Sequence, residues 1–87
     1  MTQPVDNPAE LDATGYRCPM PVIRMEAALR DLSPGNCLKI RADDPLAAID
    51  IPHFCHEAGH TVVQLTDEGT KDRPVSVFMV TRGPNSL

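Results

Sequence analysis

Apolar and polar positions run through this chain in two rhythms. In Leu38-Lys39-Ile40-Arg41-Ala42 they alternate one for one, the pattern of a half-buried strand. Residues 61–66, from Thr61 to Thr66, and residues 75–81, from Val75 to Thr81, are rich in β-branched and aliphatic side chains and read as two more strands. Glu10-Leu11-Asp12-Ala13 is a shorter strand candidate, ended by Thr14-Gly15. Elsewhere the period lengthens. Val22, Met25, Leu29 and Leu32 recur at i, i+3, i+7 and i+10, which predicts a helix over residues 19–32. Arg24 and Asp31 fall on its other side, and Glu26 and Arg30 form an i,i+4 pair. Ser33-Pro34-Gly35-Asn36 stops it with turn chemistry.

A second helical segment follows Asp43-Asp44-Pro45, where Asp44 suits an N-cap and Pro45 the first helical position. Pro52 cannot donate a backbone hydrogen bond, so the helix is expected to restart at Asp50. Asp50 then acts as N-cap, with Ile49 and Phe54 as a hydrophobic staple. It runs to Ala58, and Gly59 supplies the left-handed residue beyond its end. The polar stretch 67–73, with Gly69, suits a hairpin loop and makes the last two strands antiparallel. The order is βαβαββ. The expected fold is an α/β (α+β) two-layer sandwich, with two helices on one face of a four-stranded mixed sheet. It occupies residues 10–83, between a flexible tail over 1–9 and a short one over 84–87.

Composition narrows the functional classes. At 87 residues this is one domain with a modest core. There is no Trp, one Tyr and two Phe, so the core is aliphatic and a deep aromatic cofactor pocket is not expected. A formal net charge of -4 argues against direct nucleic-acid binding, which uses a basic stripe. No apolar run reaches bilayer length and residues 1–10 hold no apolar signal core, so no membrane contact is expected and the cytoplasm is the expected compartment. Three cysteines fit a reducing compartment better than a disulfide framework.

The sharpest local feature is Arg17-Cys18-Pro19-Met20-Pro21, set between a strand and a helix. A thiol at a helix N-terminus meets unpaired N–H groups and the positive end of the macrodipole, which together favour the thiolate. Arg17 and Arg24 are expected to add positive potential and to help docking. Pro19 and Pro21 are expected in the first turn, where a missing N–H loses no helical bond and the stiffened chain holds the thiol out. The alternative at this point is a buried capping cysteine with no chemistry. Gly15, Tyr16 and Arg17 beside it suit a surface loop better than a core.

The run from Leu11 to Pro21, Leu-Asp-Ala-Thr-Gly-Tyr-Arg-Cys-Pro-Met-Pro, resembles the signature of the TusA family of sulfur-carrier proteins. Pro34-Gly35, Ala42-Asp43-Asp44-Pro45, the Asp50-Ile51-Pro52-His53-Phe54-Cys55 block and Gly59-His60 match in order, so the resemblance spans about residues 10–83. It implies a two-layer βαβαββ fold and a persulfide on Cys18, with no metal or organic cofactor. It also implies a cysteine desulfurase or rhodanese-like sulfur donor and a thiol-bearing acceptor protein. The pathways it implies are tRNA thiolation, molybdenum-cofactor biosynthesis and sulfur oxidation. Met20 stands where the best-known tRNA-pathway member has an acidic residue, so no single pathway is assigned. The chain is expected to be a monomer that forms transient complexes.

Two rivals remain: a non-catalytic interaction module, and a metal-binding or thiol-redox protein using His53, Cys55, His56 and His60. The histidines have i, i+3, i+7 spacing, yet a closed zinc site wants four ligands and no second cluster exists. Cys55 reads as a small buried hydrophobe. Cys37 lies outside the family motif. About a dozen helical residues, roughly 18 Å, should separate it from Cys18, so it is expected to be a strand residue with no resolving role. Asp44, as cap, is expected to flank Cys18, because parallel first and second strands end side by side.

Overall fold

The computed structural model describes residues 8–84 of the chain. Residues 1–7 of the expected N-terminal tail and residues 85–87 of the C-terminal one lie outside the described residues. The elements are β1 (Ala9–Asp12), α1 (Met20–Arg30), β2 (Cys37–Ala42), α2 (Pro45–Ala58), β3 (Thr61–Gln64), β4 (Glu68–Gly69) and β5 (Pro74–Thr81).

The strands lie in the order β1-β2-β5-β3. β1 runs parallel to β2, while β5 runs antiparallel to both β2 and β3. Both helical crossovers, β1-α1-β2 and β2-α2-β3, therefore step the same way along the sheet. Right-handed connections put both helices on one face, as expected from the sequence, and α1 and α2 pack against each other there. The same topology brings the β1–α1 and β2–α2 loops together at one end of the sheet, and the candidate site lies there.

The alternation in β2 works as read. Leu38, Ile40 and Ala42 are buried under the helices, while Lys39 and Arg41 are only partly covered on the other face. Ile40 and Leu38 stand opposite Phe78 and Val80 of β5, and all four join one core cluster. From α1, Met25 and Leu29 enter that core, with Val22 and Leu32 half-buried at its margin. Burial of each such side chain stabilises the fold by about 1.5–3 kcal/mol. On the sheet's other face Arg41 bridges strands, pairing with Glu10 and Glu68 at 2.9 Å each.

Three expectations need correction. The second helix does not restart at Asp50; it is continuous from Pro45 to Ala58 with Pro52 inside it. Ala47, Ile51 and Cys55 are its buried residues. They form one stripe at i, i+4, i+8 only if the helix is unbroken, and burial of that stripe outweighs the cost of about 3 kcal/mol for an interior proline. Asp44 is the sole N-cap, so Asp50 caps nothing and the Ile49–Phe54 staple is not formed; Ile49 is largely exposed. The first helix is shorter than residues 19–32, because Pro19 is its N-cap and Asp31 its C-cap. Finally, the stretch 67–73 is not all loop. Glu68 and Gly69 pair with Val75 and Pro74, adding a short fifth strand. Gly69 has φ +85°, and a Cβ there would lie 2.3 Å from the Arg73 carbonyl oxygen, so no other residue closes this ribbon without strain.

Candidate active site

The β1–α1 loop is tied down by acidic side chains. The Asp12 carboxylate accepts from the Thr14 amide and hydroxyl at 3.0 and 2.6 Å, closing a tight turn. Asp43 Oδ1 accepts from the Gly15 amide at 2.9 Å. Asp44 reaches furthest. Its Oδ1 accepts from the Leu46 amide, capping α2, and its Oδ2 accepts from the Cys18 amide at 2.6 Å. The buried carboxylate that starts one helix thus fixes the backbone of the cysteine that precedes the other.

Cys18 is half-exposed, whereas Cys37 and Cys55 are buried, and all three are free thiols. The Cys18 thiol donates to Asp50 Oδ2, with Sγ 2.6 Å from that oxygen. Its peptide bond to Pro19 is cis. Pro19 is exposed at the N-cap position rather than within the first turn, and Pro21 is buried at the second helical position.

The electrostatics reverse one expectation. The hydrogen bond to Asp50 pushes the Cys18 thiol up from its ordinary value, and desolvation and the charges of Asp50 and Asp44 push the same way. The helix N-terminus does not win, because Cys18 precedes the capping residue and two carboxylates stand nearer. Nor do the arginines converge on the sulfur. Arg17 is exposed and lies 3.9 Å from Asp43, and the Arg24 guanidinium sits 4.2 Å above the Tyr16 ring.

A groove of about 250 Å³ adjoins the thiol's partner, lined by Pro19, Val22, Asp50, His53, Phe54 and Glu57. Met20 and Ile23 of α1 and Leu46 and Ile49 of α2 are exposed apolar side chains.

This strand–loop–helix with Cys-Pro-Met-Pro at its turn belongs to a chain whose residues 9–78 match the family model described as Sulfurtransferase TusA. The chain belongs to the TusA family. A sulfur carrier protein TusA of Pseudomonas paraeruginosa is 50% identical over 68 residues, covering 78% of this chain and 84% of the relative. One of Pseudomonas syringae pv. syringae is 45% identical over 74 residues, covering 80% and 88%. The fold is also that of a SirA-like protein from Desulfitobacterium hafniense, with TM-score 0.68 and 24% identity over 85% of this chain and 97% of that one.

Within this TusA-family domain the other sequence candidates separate. Cys37 opens β2, roughly 17 Å of strand away from the end where Asp44 holds Cys18, and its Sγ lies 3.2 Å from Thr81 Oγ1. Cys55 is fully buried in α2, and burial pushes its thiol up to about 11. His53 and His56 are exposed, while His60 is buried past the end of the helix, where its Nδ1 accepts from the Gly83 amide at 2.9 Å. Among the described residues no three His, Cys, Asp or Glu side chains gather as metal ligands, and no helix is long and apolar enough to cross a membrane.

Asp50 is the residue that sequence reasoning missed. A helix restart at Asp50 makes that residue a cap and leaves its side chain no other role. Asp44-Pro45 already supplies a complete helix start, and a helix unbroken from there leaves Asp50 free to face the thiol. Its place in the Asp50-to-Cys55 block that matches the family was the signal available.

Proposed function

We propose that this protein carries transferable sulfur as a persulfide on Cys18. The observation that supports the reading best is that, of three free thiols, the half-exposed one lies in the family's Cys-Pro-x-Pro loop, while the other two are buried. The Cys18 sulfur attacks the outer sulfur of a donor persulfide. An Sγ–S bond forms, the donor's S–S bond breaks, and the donor leaves as a thiolate that takes up a proton. In the second half, an acceptor thiolate attacks the outer sulfur of the Cys18 persulfide and Cys18 leaves. This exchange is redox-neutral and needs no metal or organic cofactor.

A cysteine desulfurase or a rhodanese-like protein is the donor, and a thiol-bearing protein is the acceptor. tRNA thiolation, molybdenum-cofactor biosynthesis and sulfur oxidation are the pathways such a carrier serves. The protein works in the cytoplasm, as a single domain over residues 10–83 and as a monomer that meets its partners transiently. Intact-mass spectrometry after incubation with a sulfane-sulfur donor tests the reading. One reducible added sulfur, mapped to Cys18 and absent in Cys18→Ser, is expected. Equal loading of Cys18→Ser defeats it, and a variant that keeps full activity in cells makes the loop a docking surface only.

A further inference from the structure

Asp50 has an unusual position for a carboxylate. Among the described residues its side chain makes one hydrogen bond, to Cys18 Sγ, and it forms no ion pair. It caps no helix, and an Asp in a helix interior is a poorer helix former than Ala. Nothing in the packing calls for an acid here. Its one hydrogen bond is with the atom on which the proposed chemistry occurs.

That contact restrains the thiol. The nucleophile in sulfur exchange is the thiolate, and a carboxylate that accepts the S–H bond stabilises the protonated form. The hydrogen bond to Asp50, then desolvation and the charges of Asp50 and Asp44, push the thiol up and so shrink its thiolate fraction in the free protein. The nearby cations are otherwise engaged. Arg17 is closest to Asp43 and Arg24 rests on Tyr16. Beside Asp50 lies the groove between α1 and α2, with Glu57 as a second acid, His53 on its wall, and apolar surface from Pro19, Val22 and Phe54. Its walls suit a side chain with an apolar stem and a positive head.

We propose that Asp50 is a charge gate on Cys18, opened when a sulfur donor or acceptor places a lysine or arginine side chain in the groove to pair with the Asp50 carboxylate. The cation takes over the carboxylate oxygen, and the thiol loses its acceptor. Sγ then gives its proton to solvent and attacks the donor's outer sulfur. The donor thiolate leaves and is protonated in turn, so that Cys18–SH and R–S–SH become Cys18–S–SH and R–SH. The gate selects positively charged sulfur partners and holds the unpartnered carrier inert toward stray electrophiles. It rests on the carrier reading and names the chemistry of the partner that reading requires.

The test uses small reagents on the whole protein. Cys18 modification is followed by mass spectrometry with cystamine, 2-hydroxyethyl disulfide and dithiodiglycolate, which are cationic, neutral and anionic disulfides, and with neutral iodoacetamide. Comparing Asp50→Asn with the wild type cancels each reagent's intrinsic reactivity. The gate predicts that the preference for cystamine over dithiodiglycolate falls about tenfold in Asp50→Asn, the scale of removing one charge near the sulfur. It also predicts faster iodoacetamide alkylation at pH 7. Asp50→Ala should behave alike, and Glu57→Gln should change the preference far less. An unchanged preference, unchanged or slower alkylation in Asp50→Asn, an equal effect of Glu57→Gln, or unfolding of both Asp50 variants overturns the gate. Each of those results leaves sulfur loading of wild type against Cys18→Ser untouched, so failure of the gate and failure of the carrier reading are told apart.

Discussion

Asp44 joins the fold to the site, and its replacement should show both roles. Its two oxygens serve two amides, Leu46 at the start of α2 and Cys18 in the neighbouring loop, from a nearly buried position. Removing an N-cap side chain costs typically about 1 kcal/mol. Removing a charged acceptor from a partly buried amide costs about 1.5–3 kcal/mol. The two effects share one residue and do not simply add, so Asp44→Ala should lose about 2–4 kcal/mol. For a domain of this size that lowers Tm by about 10–30 °C. Asp44→Asn is the informative partner variant. Its amide has one oxygen, so one of the two amides is satisfied while the other faces an NH2 group, and a loss of about half that size is expected. Urea and thermal denaturation at pH 7 give the stabilities, and hydrogen exchange at the Cys18 amide reports the loop directly. If Asp44→Ala lies within about 0.5 kcal/mol of the wild type, the value of an unremarkable surface substitution, the account of how this loop is held is wrong.

Two buried groups set opposite pH limits. The Cys55 thiol ionises near 9.0 when unfolded and about 11 when folded, so between those values the unfolded chain gives up a proton that the folded one keeps. Stability should therefore fall by about 3 kcal/mol as pH rises through that window, and the fall should be smaller by that amount in Cys55→Ala; parallel urea titrations of the two proteins measure it, and an equal fall in both would rule the effect out. His60 is shifted the other way, lowered by burial and by the Arg82 charge. Below about 6.5 the unfolded chain takes up a proton that the folded one resists, so stability is lost as pH falls. His60→Gln, whose side-chain oxygen can still receive the Gly83 amide, should lose less on acidification, and an equal acid loss in both proteins would refute the assignment.

Periodicity carried most of the architecture. The strand alternation at Leu38–Ala42 and the Val22-Met25-Leu29-Leu32 spacing each report a single burial face, and burial decides where such elements sit. Pro52 misled because local propensity speaks against a helix there, whereas the buried stripe from Ala47 to Cys55 is a tertiary fact. The same local view placed Cys18 against a helix end and two arginines. Its surroundings instead come from residues 26 and 32 positions later, and no local window holds that information. The neighbourhood of Asp44 and Cys18 was legible, because it follows from a parallel pair of strands ending together. The groove was not, since it depends on how two helices lean on each other.

The distance in sequence between Cys18 and its two carboxylates has a temporal consequence. During synthesis the cysteine emerges well before Asp44 and Asp50, so the nascent chain displays an ordinary thiol with no acid beside it. Only the completed second crossover delivers both acids. Loosening the start of α2 in the mature protein recreates the nascent situation, so Cys18 should report on the seating of that helix as a built-in chemical probe.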